Sequence, residues 1–355
     1  MSKFRPIILD SITAILILVA SVSVIRVMTK GVGMRAGDFH AYWYSGHFIW
    51  QGLDPYQAWA SQSEVELPVS YIDGVVQKTG TVRRNNWTAT PANTAPVVLL
   101  LSPLSRLSWE VAVRVWVIIN LTLCVLITQL LTSIASLTPT SRRSFFSILA
   151  ILLSLVATRE VVEYGQTSLL ILASMLLAQW ETRMEHPVLS GLFLGVAMSK
   201  YSLAFPLFVL FLYRKRYLSI LISLATQFLA AAAVAMIGKT SLLTLAGNYL
   251  RIASAHINLP GYHIVSVVPK DSQILALTTV TLTTTVMLLV LVHWHRDDMK
   301  RTRNKHQSVM LDDLLLLTIG LAWNLLTIYH RRYDSVVMIP MIAISMQYLH
   351  DTESF

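Results

Sequence analysis

One carboxylate, one lysine and a short cationic turn are the groups best placed to do chemistry in this chain, because each interrupts apolar or aromatic surroundings. Asp38 lies in Gly37-Asp38-Phe39-His40-Ala41-Tyr42-Trp43-Tyr44, which continues to Gly52-Leu53-Asp54-Pro55-Tyr56. A carboxylate there can take a proton from a hydroxyl and turn it into a nucleophile. It can equally cap a helix, since Asp accepts backbone N–H bonds well at that position, and the two roles are compatible. Lys200, in Ala197-Met198-Ser199-Lys200-Tyr201, breaks an apolar stretch. An ammonium at membrane depth costs ~2.5–3.5 kcal/mol, so it marks a functional position unless it snorkels to the interface. Tyr329-His330-Arg331-Arg332-Tyr333-Asp334 gathers a histidine, two arginines and an acid. The planar fork of arginine suits phosphate, although a solvated turn between helices would also look like this. Arg159, Glu160 and Glu163 stand close enough to pair with one another, and Gln166 could line a cavity or satisfy a backbone group.

Other chemistries find little support. His40 and His47, and His256 and His263, lack a third ligand at recognisable spacing, so no metal set is expected. Cys124 is the single cysteine and lies in an apolar run, which rules out a disulfide framework. No glycine-rich phosphate loop or dinucleotide fingerprint occurs, and no cofactor is implied.

The elements that must position these groups are membrane helices. The chain has 355 residues, 54% hydrophobic and 13% charged, with a mean hydropathy of +0.58, the composition of an all-α, polytopic transmembrane bundle. Apolar runs predict about ten spans: Ile7 to Ile25, Val111 to Leu131, Phe145 to Thr158, Ser168 to Trp180, Val188 to Met198, Leu203 to Tyr213, Leu218 to Ile237, Ile274 to His293, Leu314 to Ile328 and Val336 to Leu349. Several fall short of the ~20 residues that cross a bilayer, so broken or re-entrant segments are expected. Ala95 to Leu107, with Pro96 and Pro103, reads as re-entrant or interfacial. The net charge of +9 reflects basic clusters beside apolar runs, which set topology and do not call for nucleic acid.

Treating Val188 to Tyr213 as two segments meeting near Lys200 puts Lys3, Arg5, Arg142, Arg143, Arg183, Arg214–Arg216 and the Arg296 to Lys305 loop on one side, the cytoplasm, with both termini. The other side receives a first loop, 28–94, with an interfacial helix whose Phe39, Tyr42, Trp43 and Phe48 suit the membrane boundary. It also receives Arg159 to Gln166, Lys200, a second loop, 238–272, and the Tyr329–Asp334 turn. The stretch from Gln57 to Thr94 is expected to be a partly ordered loop with turns. The whole chain, 1–355, is then a single integral membrane domain with membrane lipids as neighbours.

The ordered set Asp38, Tyr42, Gly46, Gly52, Pro55-Tyr56, Ala95-Pro96, Ser102-Pro103-Leu104, Gly165-Gln166, Gly191-Leu192-Phe193-Leu194-Gly195 leading to Lys200, and Arg214-Lys215-Arg216 resembles glycosyltransferase family 87. These GT-C type membrane enzymes are similar to polyprenyl-phosphate-mannose-dependent mannosyltransferases. The resemblance implies a polyprenyl-phosphate sugar donor, carrying mannose or another hexose or pentose, and a lipid or glycan acceptor. It implies work on the extracytoplasmic face of a bacterial cytoplasmic membrane. It makes Asp38 the base, Lys200, His330, Arg331 and Arg332 the donor-phosphate ligands, and His40, Tyr42, Tyr56, Glu163 and Gln166 substrate contacts. A transporter or flippase of a phosphorylated lipid is the alternative; it would need charges along a path to both faces.

Overall fold

The computed structural model describes residues 37–61, 93–134, 142–257, 307–327 and 332–353, four short strands between 64 and 83, and isolated positions in 15–22 and 278–293. The predicted spans Ile7 to Ile25 and Ile274 to His293, the Arg296 to Lys305 loop, His263, His330 and Arg331 lie wholly or largely outside the described residues.

The chain is a helical membrane bundle. Helices α1 (Gly37–Trp50) and α2 (Pro55–Ser61) precede the strands, and α3 (Ala95–Leu101) runs into a 3-10 turn, Ser102–Arg106. The long α4 (Trp109–Ile134) is followed by α5 (Arg142–Ser154), α6 (Val156–Tyr164), α7 (Ser168–Arg183), α8 (Pro187–Ala197) and α9 (Tyr201–Tyr213). Helices α10 (Tyr217–Ile237), α11 (Leu242–Ile257), α12 (Gln307–Thr327) and α13 (Ile339–Glu353) complete the described bundle. Among the described residues, Trp109–Ile134, Pro187–Tyr213 and Tyr217–Ile237 have the length and apolarity to cross a membrane, and α5 with α6 forms a further pair bent by 62°.

The second of these stretches is not a straight rod. Ser219 donates to the Pro187 carbonyl at 3.0 Å, whereas a straight 27-residue helix would separate its ends by about 40 Å. The six residues from Tyr213 to Ser219 can reach only about 22 Å. The stretch therefore folds back, and it does so where the helix breaks at Lys200 (φ −116, ψ 70). This agrees with the two-segment expectation and puts Lys200 at the apex of a helical hairpin. α10 then runs parallel to α8, and Gly191 and Gly195 allow the close approach: a Cβ at Gly195 would stand 2.6 Å from Thr226 Cβ.

Three expectations are corrected. α1 does not offer its aromatic residues to lipid. Phe39, Tyr42, Trp43 and Phe48 are buried, with Phe39 stacked on Trp116 at 5.5 Å and on Trp109 at 5.8 Å. The helix is apolar nearly all round, which is the pattern of a helix packed inside protein. Asp38 also lies within the first turn, beyond the capping position. The 57–94 loop contains strands: β1 (Glu64–Leu67) pairs with β4 (Gly80–Arg83), and β2 (Ser70–Ile72) with β3 (Val75–Gln77). Both ladders are antiparallel, and the β2–β3 pair lies within the stretch of chain closed by β1–β4. As expected, α3 and its 3-10 turn do not span; Ala95, Pro96, Val97, Val98 and Leu101 are buried.

Helix directions sort the polar groups by end. α7 leaves the Gly165–Ser168 turn for Arg183, α8 returns antiparallel to it with Ser190 donating to the Ala178 carbonyl at 2.9 Å, and α9 descends to Arg214. There Arg214 pairs with Asp313 at the start of α12, while near the far end of α12 Asn324 reaches the Ser202 carbonyl. Arg183 and Arg214–Arg216 thus share one end of the bundle. Lys200, the Gly165–Ser168 turn and Asp334 share the other.

Candidate functional site

The site is organised by a turn of four residues. α6 ends on Gly165, whose left-handed backbone (φ 70, ψ 36) suits glycine. The three following side chains each tie down a different element. Gln166 donates its amide to Asp38 Oδ2 on α1. Thr167 accepts from Asn93 Nδ2 at 2.9 Å, which leaves α7 without a side-chain cap from its N-cap residue. Ser168 donates to Asp334 Oδ1 at 2.5 Å. All three are buried, so their bonds are made away from competing water.

Gly165 is also where α1 comes closest. A Cβ at this position would lie 2.3 Å from Phe39 Cβ, so only glycine lets Asp38 reach Gln166. Gly165→Ala is expected to add about 1–2 kcal/mol of backbone strain and to push α1 away. Activity at the site should fall at least about tenfold, together with a lower thermal midpoint. Unchanged activity and midpoint would show that α1 is not held by this contact.

Lys200 arrives from the hairpin apex. Its Nζ is 2.5 Å from Asp334 Oδ1 and 3.1 Å from Ser168 Oγ. Asp334 is carried by the 3-10 helix Arg332–Met338, so the backbone of Arg332, two residues away, lies within about 7 Å of it. The apex is held by Thr94: its N donates to the Ser199 carbonyl at 3.1 Å, and its Oγ1 to Gln227 Oε1 on α10 at 2.8 Å. Gln227 in turn donates to the Gly195 carbonyl at 2.6 Å.

Tyr42 lies between the two halves. It shares a face of α1 with Asp38, one turn away. Burial pushes its phenol above the ordinary range; hydrogen bonds with Thr167 and Asn93 oppose this, and the Asp38 and Asp334 carboxylates add to the rise. It is a neutral donor, unsuited to be a base. Tyr56 donates to the Asn93 carbonyl at 3.1 Å, and its helix is capped by Asp54, which accepts from Tyr56 N and Asn248 Nδ2 at 2.9 Å each. Asp38, Gln166, Tyr42, Tyr56 and Lys200 are therefore brought into one polar layer. Glu163 sits half-buried on α6 one turn before Gln166. The side chain of Arg332 is outside the description, as are His330 and Arg331.

His40 is not brought into that layer. It is buried between Trp109 at 5.2 Å and Tyr44 at 5.0 Å, and its Nε2 has no hydrogen-bond partner among the described residues. Burial, with a smaller push from His47, lowers its pKa to about 4. Because the unfolded chain binds this proton below about pH 6.5 and the folded one only below about 4, the stability associated with neutral His40 is full above pH 6.5 and is lost as pH falls towards 4. The loss amounts to about 3 kcal/mol at most. Thermal midpoints measured from pH 7 to 4.5 should fall more steeply for the natural protein than for His40→Phe; equal slopes would mean that the imidazole is not buried neutral.

Asn93, Thr167, Ser168 and the pairing role of Asp334 were not singled out as site residues from the sequence. The polar triplet Gln166-Thr167-Ser168 before an apolar run reads as an ordinary helix start. Only an excess of hydrogen-bonding side chains beside Gly165 hinted at more.

The model of glycosyltransferase family 87 matches residues 93–335, more than half of the chain and all of the hub from Asn93 to Asp334. The chain belongs to glycosyltransferase family 87. It is a membrane glycosyltransferase, with a sugar donor and an acceptor as substrates. The family match starts after Asp38, Tyr42 and Tyr56, which the fold attaches to the matched hub through Gln166, Thr167 and Asn93. No curated protein and no solved structure matches the chain.

Proposed function

We propose that this family 87 enzyme transfers a sugar from a polyprenyl-phosphate donor to a hydroxyl of a lipid or glycan acceptor on the extracytoplasmic face, with inversion at the sugar carbon. The reading is carried by one observation: the 165–168 turn holds a carboxylate, Asp38, through Gln166 and a cation, Lys200, through Ser168, two residues apart. Asp38 accepts the acceptor's proton, since an alcohol is a poor nucleophile until a positioned base takes it. The departing phosphate gains charge, and a fixed cation stabilises that charge. Lys200 serves there, with His330, Arg331 and Arg332 as further phosphate ligands from the segment that ends at Asp334. Tyr42, Tyr56 and Gln166 of the same layer, with Glu163 one turn before Gln166, are the proposed substrate contacts.

Sidedness follows from charge. Arg183 and Arg214–Arg216 crowd the end opposite the site, the arrangement favoured for cytoplasmic loops, so the site end is the outer one in a cytoplasmic membrane. A donor taken from within the membrane suits this geometry, because the described polar groups of the site gather at one end. A flippase would need them along a path to both ends.

The test is to reconstitute the purified protein in liposomes with a panel of polyprenyl-phosphate sugars and a lipid extract, then look for new glycolipids by mass spectrometry. A product from one or more polyprenyl donors is expected. Transfer from sugar nucleotides, with none from the polyprenyl donors, would overturn the donor assignment.

A further inference from the structure

We infer that Asp334 is a built-in counter-ion that competes with the donor's phosphate for Lys200 and thereby speeds release of the more highly charged lipid phosphate product. The inference rests on the reading of Lys200 as a phosphate ligand. Its geometric basis is a closed triangle: Asp334 Oδ1 receives both Lys200 Nζ and Ser168 Oγ at 2.5 Å, and Nζ also donates to Ser168 Oγ at 3.1 Å. The side chains are 14% exposed for Lys200 and 4% for Asp334. Removing two such charges from water is costly, and a pair of this kind is weak evidence for stability by itself. A cation kept only to bind phosphate would not need a carboxylate already on it.

Ser168 makes the exchange workable. If the ammonium turns towards a phosphate, the carboxylate keeps the Ser168 hydroxyl as a donor and is not left bare. Asp334 nevertheless remains negative beside the incoming anion. A phosphate at about 5 Å from a carboxylate, at an effective dielectric of about 20, feels a repulsion large enough to change affinity by at least about tenfold for each of its charges. The donor is a phosphodiester with one negative charge, whereas the polyprenyl phosphate left after transfer is a monoester carrying about −1.5 to −2 at neutral pH. Asp334 therefore repels the product more than the donor.

Binding measured on the protein in nanodiscs tests this, with dodecyl phosphate as monoester and dodecyl methyl phosphate as diester. Asp334→Asn is expected to bind the monoester about tenfold tighter than the natural protein and the diester tighter by a smaller factor. Lys200→Gln placed on Asp334→Asn should erase the gain. Turnover of Asp334→Asn should fall with KM, as it does when product leaves slowly. Monoester binding that is unchanged or weaker in folded Asp334→Asn overturns the inference and leaves the donor reading standing. If neither ester binds the natural protein, the phosphate-binding role of Lys200 falls and the inference with it. Asp334→Ser, which keeps an acceptor oxygen without the charge, decides the matter by the same criteria if Asp334→Asn does not fold.

Discussion

Asp38→Asn is expected to lower the rate of glycosyl transfer by about 10²–10⁴-fold, the range over which a positioned general base contributes. Asparagine has nearly the same shape, and its amide oxygen can still accept the proton that Gln166 donates to Asp38 Oδ2. The packing of Phe39 on Trp109 and Trp116 should survive, so folding is preserved. The effect should appear in kcat, with the donor's KM nearly unchanged, because the carboxylate acts on the acceptor. Initial rates in proteoliposomes, paired with thermal unfolding, give the answer. A folded Asp38→Asn retaining a third or more of the natural rate would remove Asp38 from the mechanism.

Lys200→Met should have the next largest effect, and on two quantities. Losing the ammonium leaves Asp334 buried beside Ser168 without its 2.5 Å partner, and stripping one member from a buried pair typically costs about 3–5 kcal/mol. It also removes a cation from the developing phosphate charge, a loss comparable to about 10²–10³ in rate. The double variant Lys200→Met with Asp334→Asn separates the two. It should recover most of the lost stability, since Asp334→Asn removes the buried charge that lost its ion-pair partner, yet none of the lost transfer. Unfolding midpoints and transfer rates on the three proteins are sufficient. Recovery of transfer in the double variant would show that Lys200 only holds the fold.

Much of this site was legible in the chain. Lys200 stood out because a lone ammonium in an apolar stretch is costly, and the excess of basic residues at Arg214–Arg216 already required that stretch to double back. What failed was the destination of faces. α1 was expected to show its aromatic residues to lipid, since the same rings suit a membrane boundary and a protein interior; Trp109, some seventy residues on, decides which. Strands β1–β4 were hidden for a different reason: segments of three or four residues are too short to show an alternation of their own.

Local properties, then, were determined by sequence alone: which stretches are apolar enough for the bilayer, where helices must break, and which side each basic loop prefers. Those depend on transfer energies and backbone geometry summed over neighbouring residues. Partnership was decided only by the tertiary structure. Asp38 lies 128 positions from Gln166 and Lys200 lies 134 from Asp334, and no local preference reaches that far. Helix packing around the 165–168 turn brings them together, and burial then makes each of those hydrogen bonds costly to leave unmade.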